Sequence, residues 1–260
     1  MSKSEKPTLL PPTNGIIEIG VDEVGRGCLL GPVVTAAVAL PPTDTMVEKE
    51  WSEIRDSKKV SARNRCRLNK FLREKCVSYG IGMVFEEDID RMNILRATMK
   101  AMHLAIDDCI RKMPAAQQVS GHPIELLIDG PHFRPYAPPG QEDEWYIKGA
   151  RCVVNGDAVH MSIAAASIIA KEERDSFIVN LVTKNPSLEK YDLVKNKGYG
   201  TSKHMKALVA HGASEFHRKS FRPVREAMLP KLGTCPALDL TDDSSELSED
   251  NDEHSKSHDR

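Results

Sequence analysis

Four carboxylates of this sequence stand at or just after the end of an apolar run. Asp22 and Glu23 close one such run, Asp129 closes a second, and Asp157 follows a third that ends at Val154. Carboxylates are rarely buried without a partner, because an isolated charge is costly outside water. Each one alone is most simply a turn residue, since Asp beside Gly is a common turn signal. All four together favour a shared site.

A divalent cation would neutralise a converging set of carboxylates. Hard oxygen ligands with few histidines suit Mg²⁺ or Mn²⁺ better than zinc. Two such ions about 4 Å apart serve phosphodiester hydrolysis, one activating water and the other stabilising the leaving oxygen. A paired-carboxylate glycosidase is the competing interpretation. It fits poorly, because only 5% of the residues are aromatic and such sites need aromatic sugar platforms.

Alternating strands and helices must position these carboxylates. Short apolar, β-branched segments predict strands over residues 16–21, 32–40, 79–85, 124–128 and 147–154. Helical periodicity and capping residues predict helices over residues 61–79, 86–113, 162–182 and 203–211. This order predicts an α/β fold with a mixed sheet and a helical C-terminal part over about residues 175–230. Sites in α/β folds assemble at strand ends, where the four carboxylates fall.

Composition divides the 260 residues into a globular part and two polar ends. Residues 236–260 carry nine acidic and two basic side chains, so the net charge of −2 leaves about +5 for residues 1–235. The mildly basic part permits a polyanionic partner. The acidic, Ser-rich tail is predicted to be disordered, and residues 1–14 to be flexible.

Cysteine usage and hydropathy bear on the compartment. None of the six cysteines is spaced as C-x-x-C, and no Cys/His cluster has the spacing of a zinc site. We therefore expect reduced thiols in an intracellular protein. The polar N-terminus does not resemble a secretory signal, and no stretch approaches the roughly 20 apolar residues of a membrane span.

Seven segments follow one another in a recognisable order along the chain. They are G-V-D-E-V-G-R-G with G-P-V-V-T-A-A-V, D-S-K-K-V-S, N-I-L-R-A-T-M-K-A-M, L-L-I-D-G, G-D-A-V-H-M-S-I-A-A-A-S-I-I-A-K-E-E-R-D, G-Y-G-T-S-K-H and H-R-K-S-F. In this order they resemble the type 2 ribonucleases H, and among these the single-chain, bacterial-type ribonuclease HII family. The resemblance runs from about residue 16 to 225. Gly-Arg-Gly at 25–27 distinguishes the chain from the related ribonuclease HIII, which has Gly-Lys-Gly there.

The resemblance implies a ribonuclease-H-like fold, a central mixed sheet flanked by helices with a small helical C-terminal region. It also implies roles for individual residues. Asp22, Glu23, Asp129 and Asp157 would be the catalytic carboxylates and bind two divalent ions, Mg²⁺ or Mn²⁺. The nucleic-acid-binding residues would be Gly25, Arg26 and Gly27 at the ribonucleotide's 2′-hydroxyl, Tyr199 on the sugar at the RNA–DNA junction, and Lys58, Ser162, Ser167 and Lys171 along the groove.

Gly-Arg-Gly suits contact with a ribose. Glycines let the main chain approach a ligand closely, and the 2′-hydroxyl, both donor and acceptor, distinguishes RNA from DNA. Outside this context the triplet is equally typical of a plain turn. Three departures from the family pattern stand near the site: Cys28, Pro131 and the acidic stretch Glu142-Asp143-Glu144.

The implied activity is a metal-dependent endoribonuclease. It would hydrolyse the RNA strand of RNA–DNA hybrids and cut 5′ to single ribonucleotides in duplex DNA, leaving 3′-hydroxyl and 5′-phosphate ends, as in ribonucleotide excision repair and primer removal. The rivals are a ribonuclease H without single-ribonucleotide specificity and a non-catalytic hybrid-binding module. We expect a monomer without a membrane partner, cytoplasmic if bacterial and nuclear or organellar if eukaryotic. No clear Gln-led sliding-clamp peptide is evident.

Overall fold

A computed structural model describes residues 9–13, 15–115, 123–134 and 149–229. The predicted tail, the acidic stretch at 142–144 and the start of the last predicted strand lie outside these ranges. The strands are β1 Ile17–Val24, β2 Val33–Ala39, β3 Ser78–Val84, β4 Ile124–Asp129 and β5 Gly149–Val153. The α-helices are α1 Ala62–Lys75, α2 Glu86–Met92, α3 Ile94–Lys112, α4 Met161–Lys184, α5 Leu193–Asn196, α6 Ser202–His211 and α7 Arg222–Met228.

The five strands form one mixed sheet in the order β3-β2-β1-β4-β5. β1 lies at its centre, antiparallel to β2 and parallel to β4. β3 pairs antiparallel with β2, and β5 pairs parallel with β4. The predicted mixed α/β architecture is therefore confirmed, and it brings the carboxyl ends of β1, β4 and β5 to one edge of the sheet.

Two long helices cover opposite faces of the sheet. Alternate residues of β2 point to the two sides, as the strand period requires: Ala36 and Val38 pack against the small residues of α4, and Ala37 and Ala39 against α3. The main chains of α4 and β1 are in close contact, since a Cβ on Gly20 would lie 2.1 Å from the carbonyl carbon of Ser162. A glycine at this position therefore sets the distance between the central strand and α4.

The predicted helix over residues 86–113 is wrong in one respect, because it is two helices. Asn93 has a φ of 71°, a left-handed conformation that ends α2. Its side-chain oxygen then accepts a hydrogen bond from the N–H of Arg96 and caps α3. With a ψ of 161° Asn93 lies outside the helical region, so the chain breaks here although the apolar periodicity continues on both sides. The helix predicted over 61–79 is also shorter, because α1 ends at Lys75 and residues 78–84 form β3.

The C-terminal part is mostly helical, as predicted. After α4 the chain forms a 3₁₀ segment, Pro186–Tyr191, and the short helices α5, α6 and α7. An apolar cluster that includes Leu30, Ile178, Tyr191 and Leu193 joins this region to the loop after β1. The helical part is thus packed on the segment that follows the predicted Gly-Arg-Gly triplet.

Residues near the predicted flexible N-terminus make specific contacts. Leu9 is buried in the apolar cluster under α4, and Leu10 pairs with His160 and accepts a hydrogen bond from the N–H of Met161. Leu9 thus packs in the core and Leu10 bonds to the start of α4, while the flexibility of residues 1–14 stays a prediction. Contacts divide the chain into units 1–228 and 229–260, and only Leu229 of the second is described. No helix in the described ranges is long and apolar enough to cross a membrane.

Candidate active site

Three of the predicted carboxylates meet at one edge of the sheet. Val21 of β1 pairs with Ile128 of the parallel strand β4, so the next residues, Asp22 and Asp129, stand side by side. Glu23 follows on β1. One carboxylate oxygen from each of the three lies within 4.8 Å of the others. The register of two parallel strands thus produces the convergence that the strand-end pattern predicted.

Burial makes this cluster electrostatically costly without a counter-ion. Asp22 is 6% exposed, and burial, followed by the charges of Glu23 and Asp129, raises its pKa well above the usual value. Burial also raises the pKa of Glu23, although Arg26, whose Nη1 lies 3.1 Å from Glu23 Oε1, opposes this shift. A divalent cation would relieve the repulsion. These three residues fit the donor set that Mg²⁺ or Mn²⁺ requires.

Asp157 stands beside the cluster, on the 3₁₀ turn Gly156–Ala158 that follows β5. Gly156 donates its N–H to Asp129 Oδ1 at 2.7 Å, so the turn is bonded directly to the site. Burial, then the charges of Asp56 and Asp129, raises the pKa of Asp157, and Lys58 opposes the shift from 3.9 Å. Asp157 is not among the three residues whose oxygens lie within 4.8 Å of one another.

The Gly-Arg-Gly triplet follows β1 directly, and its two glycines differ in their surroundings. Gly25 is buried with a φ of +91°, and a Cβ there would lie 2.2 Å from Arg174 Nε. Gly27 is exposed, and a Cβ there would meet nothing within 4 Å. Gly25 therefore permits close packing beneath the loop, whereas Gly27 leaves the main chain open to a ligand.

Tyr199 lies next to the triplet although it is 172 residues further along the chain than Gly27. Its segment pairs with Cys28 in an isolated β-bridge, and Leu29 donates its N–H to the carbonyl of Gly198. Tyr199 is 39% exposed, and Lys171 Nζ lies 5.6 Å from the centroid of its ring. Burial and the neighbouring Cys28 raise the pKa of Tyr199 to about 12. An aromatic face, a cation and an open glycine loop thus lie together just after the strand that carries Asp22 and Glu23.

Comparison with known proteins decides the family. A family model described as Ribonuclease HII matches residues 19–224, a range that includes the carboxylate cluster, Asp157, the triplet and Tyr199. The chain belongs to the ribonuclease HII family. A ribonuclease HII from Christiangramia forsetii is 38% identical over 203 residues, which cover 78% of this chain and 89% of that protein. Membership makes the chain a nuclease of the hydrolase class.

Solved structures agree on the fold. The crystal structure of ribonuclease H2 from Pyrococcus horikoshii OT3 matches with a TM-score of 0.61 at 22% identity, over 82% of this chain and 97% of that one. Bst-RNase HIII, solved in complex with Mn²⁺, matches with a TM-score of 0.59 at 19% identity, over 82% and 69%. The ribonuclease-H-like fold is therefore confirmed.

The remaining residues implied by the ribonuclease HII resemblance divide between the site and the core. The side chain of Lys58 is exposed and faces Asp157, and Lys171 lies between Asp175 and the Tyr199 ring. Ser167 shares a 2.8 Å hydrogen bond with Ser57 and opposes the pKa shift of Asp22.

Ser162 and Ser167 are both buried and so depart from the expected groove, and Ser162 is the more extreme of the two. It is fully buried beneath the central strand and donates a 2.6 Å hydrogen bond to Glu18 Oε1. Its hydroxyl satisfies a buried carboxyl group, so it has no surface to offer a nucleic acid.

Sequence reasoning missed three charged residues around this ribonuclease HII site. Asp56 interacts with Asp157, and the guanidinium groups of Arg174 and Arg218 lie beneath the triplet loop. All three stand in segments that resemble the family, D-S-K-K, A-K-E-E-R-D and H-R-K-S-F. The resemblance of these segments to the family was the one sign in the sequence that pointed to the three residues. The charged sequence pattern itself favours solvent-facing side chains, because arginines are seldom fully buried.

Proposed function

We propose that this chain is a metal-dependent endoribonuclease that hydrolyses the RNA strand of RNA–DNA hybrids. It also cuts on the 5′ side of single ribonucleotides in duplex DNA and leaves 3′-hydroxyl and 5′-phosphate ends. One observation carries the proposal: Asp22 of the carboxylate cluster and the open Gly27 are only five residues apart, on β1 and in the loop directly after it, and Tyr199 is bridged to Cys28 of the same loop. A cutting site and a ribose-reading surface are thus adjacent.

Asp22, Glu23, Asp129 and Asp157 are proposed to hold two divalent ions, Mg²⁺ or Mn²⁺. Bound there, the ions supply an activated water and charge stabilisation for the leaving 3′-oxygen. The protein's own contribution is orientation: Gly156 N–H fixes one oxygen of Asp129, and the N–H of Glu23 donates to Asp22 Oδ1 at 2.7 Å. The complex of Bst-RNase HIII with Mn²⁺ is consistent with this class of ion.

The ribose-reading surface is proposed to comprise Gly25, Arg26, Gly27 and Tyr199. Main-chain groups at Gly27 can approach the 2′-hydroxyl because no side chain stands in the way. Arg26 is half exposed and can meet a phosphate, while the Tyr199 ring offers a flat face to the neighbouring sugar. Lys58 and Lys171 add positive charge for the backbone of the strand.

Cleavage of two substrates tests the proposal. One is a DNA duplex containing a single ribonucleotide, and the other is a hybrid with a continuous RNA strand, each with Mg²⁺, Mn²⁺ or EDTA. We expect metal-dependent cutting of both, and 3′-hydroxyl and 5′-phosphate ends by end-labelling. Cutting of the hybrid alone would refute the ribose-reading surface and favour a general ribonuclease H. Cutting of neither would favour a hybrid-binding module.

Asp129→Asn is the matched variant. It keeps the oxygen that accepts from Gly156 but removes the charge, so it should abolish cutting while circular dichroism and thermal melting show a folded protein. Asp88→Asn is the control, because Asp88 pairs with Arg91 and Lys100, lies outside the carboxylate cluster and touches none of the proposed binding residues. Retained activity in Asp129→Asn would remove Asp129 from the proposed metal site.

A further inference from the structure

Two guanidinium groups are buried beneath the triplet loop without a carboxylate partner. Arg174 of α4 and Arg218 are both 0% exposed. Neither takes part in any ion pair within 4.0 Å among the residues that the structure describes. Burying a cation is costly unless hydrogen bonds satisfy it. The two arginines therefore require an explanation beyond filling space.

Arg174 bonds to two separate segments at once. Its Nε donates to the carbonyl of Pro32 at 3.0 Å and its Nη2 to that of Leu30 at 3.0 Å, both on the segment after the triplet. Its Nη1 donates to the carbonyl of Lys197 at 2.6 Å, two residues before Tyr199. One planar side chain thus fixes the distance between the two parts of the proposed ribose-reading surface.

Further contacts place Arg174 directly under both reading elements. Its Nε occupies the space that a Cβ on Gly25 would need, 2.2 Å away. Its guanidinium carbon lies 5.9 Å from the centroid of the Tyr199 ring. Arg174 therefore packs directly against Gly25 and lies near the face of the Tyr199 ring, while being fully shielded from solvent itself.

Arg218 bonds the triplet loop to the C-terminal region. Its Nη1 donates to the carbonyl of Arg26 within the triplet, and its Nε to that of Gly31, both at 2.9 Å. The main-chain N–H of Arg218 donates to the carbonyl of Leu29. Four carbonyl groups between residues 26 and 32 therefore accept from the two guanidinium groups, which orients this segment's main chain.

We propose that Arg174 is a positioning residue for ribonucleotide recognition, setting the spacing between the Gly25–Gly27 main chain and Tyr199. It does not contact the substrate, and Arg218 holds the other side of the same loop. The inference rests on the proposed function. A lone ribonucleotide beside deoxyribose requires the triplet and the tyrosine together, whereas a continuous RNA strand offers a 2′-hydroxyl at every position. The arginine's planar fork is essential, because Lys cannot donate to three carbonyls in one plane.

Steady-state kinetics on the two substrates measure the predicted specificity. In Arg174→Lys, we expect kcat/KM for the single-ribonucleotide duplex to fall at least tenfold more than for the RNA hybrid, and further still in Arg174→Met. Ile169→Ala is the control for stability, because Ile169 is buried on α4 in the cluster that faces the sheet. It should lower the melting temperature and leave the ratio of the two kcat/KM values unchanged.

Amide hydrogen exchange measures the anchoring without requiring any activity. In Arg174→Lys, exchange should accelerate at least tenfold in peptides covering residues 25–31 and 197–199 together, relative to peptides of the sheet. Ile169→Ala should not show this paired change.

Each outcome decides a different point. An unchanged kcat/KM ratio in Arg174→Lys, or acceleration in only one of the two segments, would overturn the positioning role. Failure of the wild type to cut the single-ribonucleotide duplex would instead refute the proposed function, and the exchange result would still decide the anchoring.

Discussion

Removing the charge of Asp22 should stabilise the metal-free protein. Two unit charges 4.8 Å apart, the limiting separation in the carboxylate cluster, repel by about 3 kcal/mol at an effective dielectric constant of about 20. Asp22 faces Glu23 and Asp129, and Arg26 offsets part of the charge of Glu23. Asp22→Asn keeps an oxygen to accept from the N–H of Glu23. We therefore expect the free energy of unfolding in EDTA to rise by about 1–3 kcal/mol.

Divalent cations should make the wild type more stable than Asp22→Asn, the reverse of the order expected in EDTA. A ligand that binds only the folded state stabilises it by about 2.7 kcal/mol at 100 times its Kd, so Mg²⁺ or Mn²⁺ should stabilise the wild type substantially. Asp22→Asn should lose most of that gain, along with strand cleavage. Urea denaturation with EDTA and with each metal measures both effects in the same protein.

Asp108→Asn is the control of opposite sign. Burial alone would raise the pKa of Asp108, but hydrogen bonds from Lys112 and Arg111 lower it, so the ionised form stabilises the fold. Its replacement should destabilise the protein and leave the metal response intact. The electrostatic explanation of the carboxylate cluster is refuted if Asp22→Asn is less stable than the wild type in EDTA, or gains as much from Mg²⁺.

Further predictions concern glycines and a buried histidine. Gly27→Ala should change the free energy of unfolding by less than about 0.5 kcal/mol yet reduce cleavage, because the added methyl group faces only the proposed ligand. Gly25→Ala should cost about 2 kcal/mol, owing to its positive φ and the contact with Arg174, and a melting curve compares the two variants. Gly20→Ala should cost about 3 kcal/mol by pushing α4 from the sheet; unchanged melting would contradict this close approach. Burial lowers the pKa of His217 from 6.5 to about 4, so the unfolded state takes up a proton first as the pH falls. The contribution of neutral His217 to the free energy of unfolding should therefore be present above pH 6.5 and be lost as the pH falls toward 4. The loss should be about 2 kcal/mol at pH 5. Urea denaturation of His217→Asn should lack this part of the decline.

Sequence reasoning could place the carboxylates because strand ends are a local property. The apolar runs before Asp22 and Asp129 predict strands, and parallel pairing of those strands brings their ends together. The offset of Asp157 from the other three could not be foreseen, since it depends on the turn at Gly156 rather than on a strand. The site roles of these residues remain predictions.

Long-range packing explains most of what the sequence did not reveal. Ser162 lies in a segment that resembles the family, yet it satisfies Glu18 in the core. Arg174 stands in a charged stretch of the sequence that is typical of a solvent-facing helix. Only its carbonyl partners on two distant segments explain its burial. Asn93 breaks a helix whose apolar period is uninterrupted, because a single left-handed residue leaves little trace in a hydrophobic pattern.

The hydrogen bonds between the triplet loop and Arg218 set a condition on when the proposed ribose-reading surface can form during synthesis. The last predicted metal ligand, Asp157, leaves the exit tunnel well before Lys197, Tyr199 and Arg218. A nascent chain that has released α4 can therefore pack the sheet and bring its carboxylates together while the loop beside them still lacks its bonds to Lys197, through Arg174, and to Arg218. Recognition of a ribose would be acquired only when residue 218 has left the exit tunnel, so the ability to choose a substrate would mature after the ability to bind metal.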